Sequence, residues 1–225
     1  MPAERFYIDA PLTDTLSLEG TEFHHLAHVM RARVGDSIEL VNGRGALATA
    51  EVTALSRHSA TLSILSATTT PTPSERLLLA IPLMRPSKLE LIIEKCTELG
   101  ADTFWLYPAH HSDKDDLSPN QLERLTHIAI SAMKQCGRLD LPPILLKRFD
   151  DLFQTDATCL FGDTRPTAHK IPHPPKALFI TGPEKGFSPQ ELKLLDQKAT
   201  GVQLHRNILR AETAPIVALC LLQQD

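Results

Sequence analysis

Arg206, Arg210 and Glu212 fall close together near the carboxyl terminus, inside the run GVQLHRNILRAETAPIVALCL from Gly201 to Leu221. An arginine can stabilise an anion that develops during a reaction, and a carboxylate beside it can hold the guanidinium or take a proton. Val202–Leu204 is expected to be a short buried parallel strand, and Thr213 onward reads as a helix with Thr213 as N-cap. Pro215 then lies in the first turn, where a missing amide costs no helical hydrogen bond. Charges set between a strand end and a helix start, where backbone amides point outward, suit an anionic or zwitterionic ligand. The alternative for this stretch alone is an ordinary turn with a solvated Arg and Glu.

A second stretch repeats the arrangement. Ala177–Ile180 is an apolar run followed by Thr181, Gly182, Pro183, Glu184, Lys185, Gly186 and Phe187. Ser188, Pro189 and Glu191 then have the pattern of a capping box: Ser as N-cap, Pro at the first helical position, Glu at the third. Two strand, loop and helix units thus follow one another, each with a polar loop at the carboxyl end of its strand. In open α/β sheets that edge is where ligands bind.

The elements that must position these loops can be read further back. Arg76–Leu83, Thr103–Tyr107 and Thr158–Phe161 read as strands. Ser87 and Glu90 are expected to form a capping box opening a helix to Leu99, with Gly100 ending it. Ser118, Pro119 and Gln121 open another helix that runs to Cys136, before Gly137. Alternation of this kind over some 150 residues, counted along the chain, implies a mostly parallel sheet covered on both faces. The first seventy residues differ. Arg5–Ile8, Asp36–Val41, Ala46–Leu55 and Ala60–Leu65 read as strands, with one helix over Thr21–Met30, which suggests a small barrel. Ala67–Ser74, rich in Thr and Pro and uncharged, is the expected linker.

The composition limits the function. The formal charge is −4. Up to Pro71 there are five Arg and no Lys against eight Asp plus Glu, a net of −3 that leaves −1 for the rest. That argues against a free, nonspecific nucleic-acid binder, although not against a local patch. No run of twenty apolar residues exists, and MPAERFYID has no apolar signal core, so a soluble cytoplasmic protein with no membrane partner is expected. Cys96, Cys136, Cys159 and Cys220 lie far apart without a CxxC pair, which fits reduced thiols. His24, His25 and His28 raise a zinc reading, but HHxxH without a Glu or Cys partner is weak, and no metal is expected.

Four segments together carry a family resemblance. GPEKGFSPQEL followed by ILRAETAPIVAL resembles the carboxyl-terminal signature of the RsmE family, the bacterial 16S ribosomal RNA uridine N3-methyltransferases. PSKLELIIEKCTELGAD is similar to that family's Lys and Glu-Leu-Gly segment, ERLTHIAISAMKQCGR to its helix ending in Gln and Arg, and HHLAHVMRARVGDSIELVNGRG to its amino-terminal domain.

The resemblance implies a PUA-like RNA-binding barrel over 1–70 and a SPOUT methyltransferase domain with a carboxyl-terminal trefoil knot over 75–225. It implies S-adenosylmethionine as methyl donor, 16S ribosomal RNA in the small subunit as substrate, and a homodimer. Arg210 takes the anion-stabilising role. Glu212 holds Arg210, takes the proton, or merely caps the helix dipole. Thr181, Gly182, Gly186, Leu204, Ile208, Leu209 and Thr213 match the cofactor motifs. Arg31, Arg33, Arg44 and Arg57 are phosphate contacts or solvated side chains. Arg138 reaches the site or the RNA, or simply complements a helix end.

Two departures from the family pattern stand out. Lys185 replaces the first of paired glycines, and His205, Arg206 and Asn207 replace a glycine and the Arg two residues after it. Lys185 is compatible with the loop provided its backbone is not left-handed. The departures keep open two further readings, a SPOUT enzyme acting on another base or a transfer RNA, and an assembly factor that has lost catalysis.

Overall fold

The computed structural model describes residues 4–71, 74, 76–112 and 114–223. They form two compact units. One is the chain before Ser74 together with Ile130–Leu141, a segment the sequence reading placed in the second domain; the other is Ser74–Ala129 with the chain from Pro142 onward.

In the first unit, strands β1 (Arg5–Tyr7), β2 (Thr15–Glu19), β3 (Ser37–Val41), β4 (Ala46–Leu55) and β5 (Ser59–Thr69) form one sheet in the order β1-β3-β4-β5-β2. β1 runs parallel to β3 and the other pairs are antiparallel. The alternation along β4 buries Ala46, Ala48, Ala50 and Val52, the last three in one core cluster with Phe6, Leu18, Leu40 and Leu62. Two register shifts between β4 and β5 add curl to the sheet. Among the described residues no ladder joins the end strands β1 and β2.

Three expectations change here. β5 runs on through Ala67–Thr69, paired to Ala46–Ala48, so the Thr-rich start of the expected linker is strand. β-branched threonines fit a pleated surface, which the linker reading overlooked. Thr72 and Pro73 of that segment lie outside the described residues. The expected helix over Thr21–Met30 is a short helix, α1 (Gly20–His24), continued by one π-helical turn, His25–Val29, and it ends at Arg31 with φ 57°. β2 had escaped the sequence reading altogether.

The second unit carries a seven-stranded parallel sheet of β6 (Leu77–Pro82), β7 (Thr103–Tyr107), β8 (Ile144–Leu146), β9 (Thr158–Gly162), β10 (His169–Lys170), β11 (Ala177–Ile180) and β12 (Thr200–Gln203). Its order is β10-β12-β9-β11-β6-β7-β8. Every residue of β7 and β11 is buried, as expected of central strands covered on both faces. The connecting helices are α2 (Pro86–Glu98), α3 (Pro119–Cys136), α4 (Pro189–Lys198) and α5 (Ala214–Leu222).

Two capping boxes form and one does not. Ser188 and Glu191 bond reciprocally, Ser188 N donating to Glu191 Oε2 at 2.7 Å and Glu191 N to Ser188 Oγ at 3.2 Å. Ser118 and Gln121 do the same at 3.0 and 3.3 Å. Ser87 does not cap α2, because the N-cap is Arg85 and Pro86 takes the first helical position. A residue before proline is driven to extended angles, so the cap falls on the residue preceding it. Glu90 instead pairs with Arg124 at 2.5 Å.

Candidate active site

The carboxyl ends of β9, β11 and β12, with the start of α2, enclose a cleft of about 630 Å³. This is where the strand order reverses direction: β6 leads outward to β7 and β8, while β9, β11 and β12 lie on its other side.

The loop after β11 is held by hydrogen bonds at each end. The Thr181 amide donates to the Ala80 carbonyl at 2.9 Å, and the buried Tyr107 hydroxyl donates to the Thr181 carbonyl at 2.6 Å. Burial pushes the Tyr107 phenol well above its ordinary pKa, so it remains a donor. Thr181 lines the cleft, and its Oγ1 is buried with no hydrogen-bond partner among the described residues. A Cβ on Gly182 would come within 2.9 Å of the Phe187 ring, so only glycine lets that ring close against the strand end. Gly186 has φ 77°. Lys185 does not have a left-handed backbone, so the loop accepts it without strain. At its far end the His111 ring nitrogen Nδ1 meets the Gly186 carbonyl at 2.9 Å, and the His110 amide donates to Glu191 Oε1 at 2.8 Å.

The loop after β12 is open by contrast. Leu204, Ile208 and Leu209 line the cleft, with Ile208 82% exposed. The Asn207 amide donates to His205 Nδ1 at 3.1 Å, giving the departure at His205 a local role. The Arg210 side chain is 83% exposed and its Nη1 lies 3.8 Å from Glu212 Oε1, while the Glu212 side chain is only 12% exposed. Burial pushes the Glu212 carboxyl up, but a hydrogen bond from its own backbone together with Lys88 and Arg210 brings it net below the ordinary carboxylate value. Thr213 occupies the N-cap position of α5, with no side-chain capping bond, and is absent from the cleft lining.

Of the sequence-predicted residues, the structure thus brings Arg210, Glu212, Thr181, Gly182, Gly186, Leu204, Ile208 and Leu209 to one cleft. Sequence reasoning missed Lys88, which meets Glu184 Oε1 at 2.9 Å and Glu212 Oε2 at 3.0 Å. It also missed Asp163 and Arg165. Asp163 accepts from Arg165 Nη2 at 2.8 Å, and a Cβ on Gly201 would strike its carboxylate at 2.5 Å. The signal for Lys88 was a cation in the first turn of a helix, where the macrodipole disfavours it. Asp163 had no sequence signal.

Arg31, Arg33, Arg44 and Arg138 all lie in the first unit. Arg31 and Arg33 are exposed. Arg44 pairs with Asp9, and Arg138, 14% exposed, with Asp140. The His24 and His28 rings lie 4.9 Å apart, tilted at 49°, and His25 meets Glu4 at 2.6 Å. Among the described residues no group of three or more His, Cys, Asp or Glu side chains is placed to hold a metal.

The chain matches the family model described as an RNA methyltransferase domain over residues 70–223, and that of an RNA methyltransferase PUA domain over 18–65. It is 30% identical to the ribosomal RNA small subunit methyltransferase E of Bacillus subtilis over 91% of this chain and 88% of that one. Identity to the Rickettsia conorii protein of the same name is also 30%, covering 97% and 94%. The Neisseria gonorrhoeae ribosomal RNA small subunit methyltransferase E, solved bound to S-adenosylmethionine, superposes with a TM-score of 0.85 at 29% identity, covering 98% of this chain and 97% of that one.

Proposed function

Because the chain belongs to the ribosomal RNA small subunit methyltransferase E family, with its PUA-like and SPOUT folds, we propose that it uses S-adenosylmethionine to methylate N3 of a uridine in 16S ribosomal RNA. The observation that carries this reading is the cleft itself: a buried hydroxyl with no partner among the described residues and a close-packed glycine on one loop, and an exposed arginine beside a half-buried carboxylate on the other.

The residues present fit the cofactor. The volume suits a nucleoside-sized ligand. Thr181 Oγ1 offers a hydrogen bond that no described residue takes. Gly182 and Gly186 keep the backbone approachable, and Leu204, Ile208 and Leu209 supply apolar surface for the adenine. When bound, S-adenosylmethionine supplies an electrophilic methyl group on a sulfonium and leaves as a thioether.

Uracil N3 is a weak imide acid, and its proton must pass to solvent at the open cleft rim before or during attack on the methyl group, whose bond to sulfur breaks as the bond to N3 forms. Arg210, extended into solvent from the cleft rim, stabilises the imidate that results. Glu212 stays ionised at neutral pH because its pKa is depressed, which makes it a weak base and favours its role as the brace that holds Arg210.

The first unit recognises the RNA through Arg31 and Arg33, whose side chains are exposed; Arg44 and Arg138 would have to exchange Asp9 and Asp140 for phosphate. The active form is a homodimer. α5 is apolar on all sides, yet only Pro215, Ala218 and Leu219 are buried and Cys220 is exposed, so a second copy of this unit is the fitting cover. No helix among the described residues is long and apolar enough to cross a membrane, and a cytoplasmic location is the reading that goes with the proposed ribosomal RNA substrate.

The test is to incubate the protein with methyl-labelled S-adenosylmethionine and, separately, small ribosomal subunits, naked 16S RNA and transfer RNA, then digest each RNA to nucleosides. Labelled 3-methyluridine from 16S RNA is expected. Label in another nucleoside or only in transfer RNA would contradict the assignment.

A further inference from the structure

Lys88 stands where elementary helix electrostatics would not put it. It is the third residue of α2, with its amide donating to the Arg85 carbonyl at 3.0 Å, and no acidic residue occupies that first turn. A cation there opposes the positive end of the helix dipole. Its compensation comes from outside the helix. Nζ lies 2.9 Å from Glu184 Oε1 and 3.0 Å from Glu212 Oε2, with the Lys88 side chain 26% exposed. Glu184 belongs to the loop after β11 and Glu212 to the loop after β12, so one ammonium bridges both walls of the cleft. A compact ammonium with three donors can serve two carboxylates on different elements at once. Among the described residues the other cation paired with Glu212 is Arg210, which is itself 83% exposed and 3.8 Å away.

We propose that Lys88 is a positioning residue for methyl transfer: a clasp that ties the 181–187 loop to the 204–212 loop and, through Glu212, sets Arg210 at the reacting base. The proposal rests on the function given above only for its last clause. The clasp between the loops is a property of the protein alone.

The test compares the full-length protein with Lys88→Met, Lys88→Arg and Glu184→Gln by hydrogen exchange, then by steady-state methylation. Lys88→Met is expected to raise amide exchange in both loops while the β6, β7 and β11 amides stay protected. It should lower kcat on the order of 10²-fold, the effect of a misplaced reacting group, with the KM for RNA changed less than about threefold. Lys88→Arg should restore most of the loss. Glu184→Gln should loosen the 181–187 loop more than the 204–212 loop. If Lys88→Met is well folded but shows wild-type exchange in both loops, the clasp is wrong. Faster exchange in both loops with unchanged kcat would remove the link to Arg210. A wild-type protein that methylates no RNA would contradict the function, and the exchange comparison would still decide the clasp.

Discussion

The two loops that form the cleft are built on different principles. The loop after β11 is fixed many times over: the Ser188–Glu191 box, the left-handed Gly186 and the Gly182–Phe187 contact lie within a few residues of one another, and Ala80, Tyr107, His110 and His111 add hydrogen bonds from distant elements. The loop after β12 has no side-chain cap, exposes Ile208 and Arg210, and is tied down at Glu212 by Lys88, more than a hundred residues earlier. Many hydrogen bonds, local and long-range, make a rigid wall that binds. A single long-range ion pair leaves the other wall open enough for a large substrate to enter, while still placing one charge.

That contrast predicts opposite consequences for mutation on the two sides. Arg210→Ala should lower kcat roughly 10²–10³-fold, the cost of losing a charge that stabilises a developing anion. Because the side chain is 83% exposed, unfolding free energy should stay within about 0.5 kcal/mol of wild type, measured by denaturant titration. Glu191→Ala should do the reverse. It strips acceptors from the buried Ser188 amide and the partly buried His110 amide and should cost about 2 kcal/mol of stability, most of it the penalty for the unpaired buried amide. Gly186→Ala meets no steric obstacle but must adopt a left-handed backbone, and should cost about 1 kcal/mol by the same measurement.

The acid side of the stability profile tests the open wall. Glu212 has its native pKa depressed below 4.5, so its stabilising contribution is complete above that pH and is lost as the pH falls through the native value. The stability gap between wild type and Glu212→Gln should therefore be constant at neutral pH and narrow below about pH 4.5. A gap that persists unchanged well below pH 4 would show that Glu212 is not held as a charged partner. The smallest effect expected is from Ser87→Ala, under about 0.5 kcal/mol, against about 1 kcal/mol for Ser188→Ala, since only the second serine caps a helix.

That pair of serines also shows what was legible in the sequence. β7 and β11 run over Thr103–Tyr107 and Ala177–Ile180, the ranges their apolar runs indicate, because a strand buried on both faces is written in consecutive residues. Ser118 and Ser188 were read correctly as caps because each directly precedes a proline. Ser87 follows one, and the same four-residue pattern then means something else. Short edge strands such as β8 and β10 carry too few residues for any periodicity to register. The site divided along the same line. Glycines and the Arg210–Glu212 pair sit in contiguous motifs, whereas Lys88 and Asp163 reach the cleft, and Tyr107 the Thr181 carbonyl beneath it, only through the sheet order, which places distant strand ends side by side. Lys88 left one trace, a charge of the wrong sign for its place in a helix.

The most direct test of the account is calorimetric titration of the full-length protein with S-adenosylmethionine. Saturable binding at one site per chain, weakened by Thr181→Val, is the result the cleft geometry predicts. No heat of binding, from protein shown to be folded, would mean that Lys185 and His205 have closed the site to the cofactor, and would contradict the assignment of this cleft to methyl transfer.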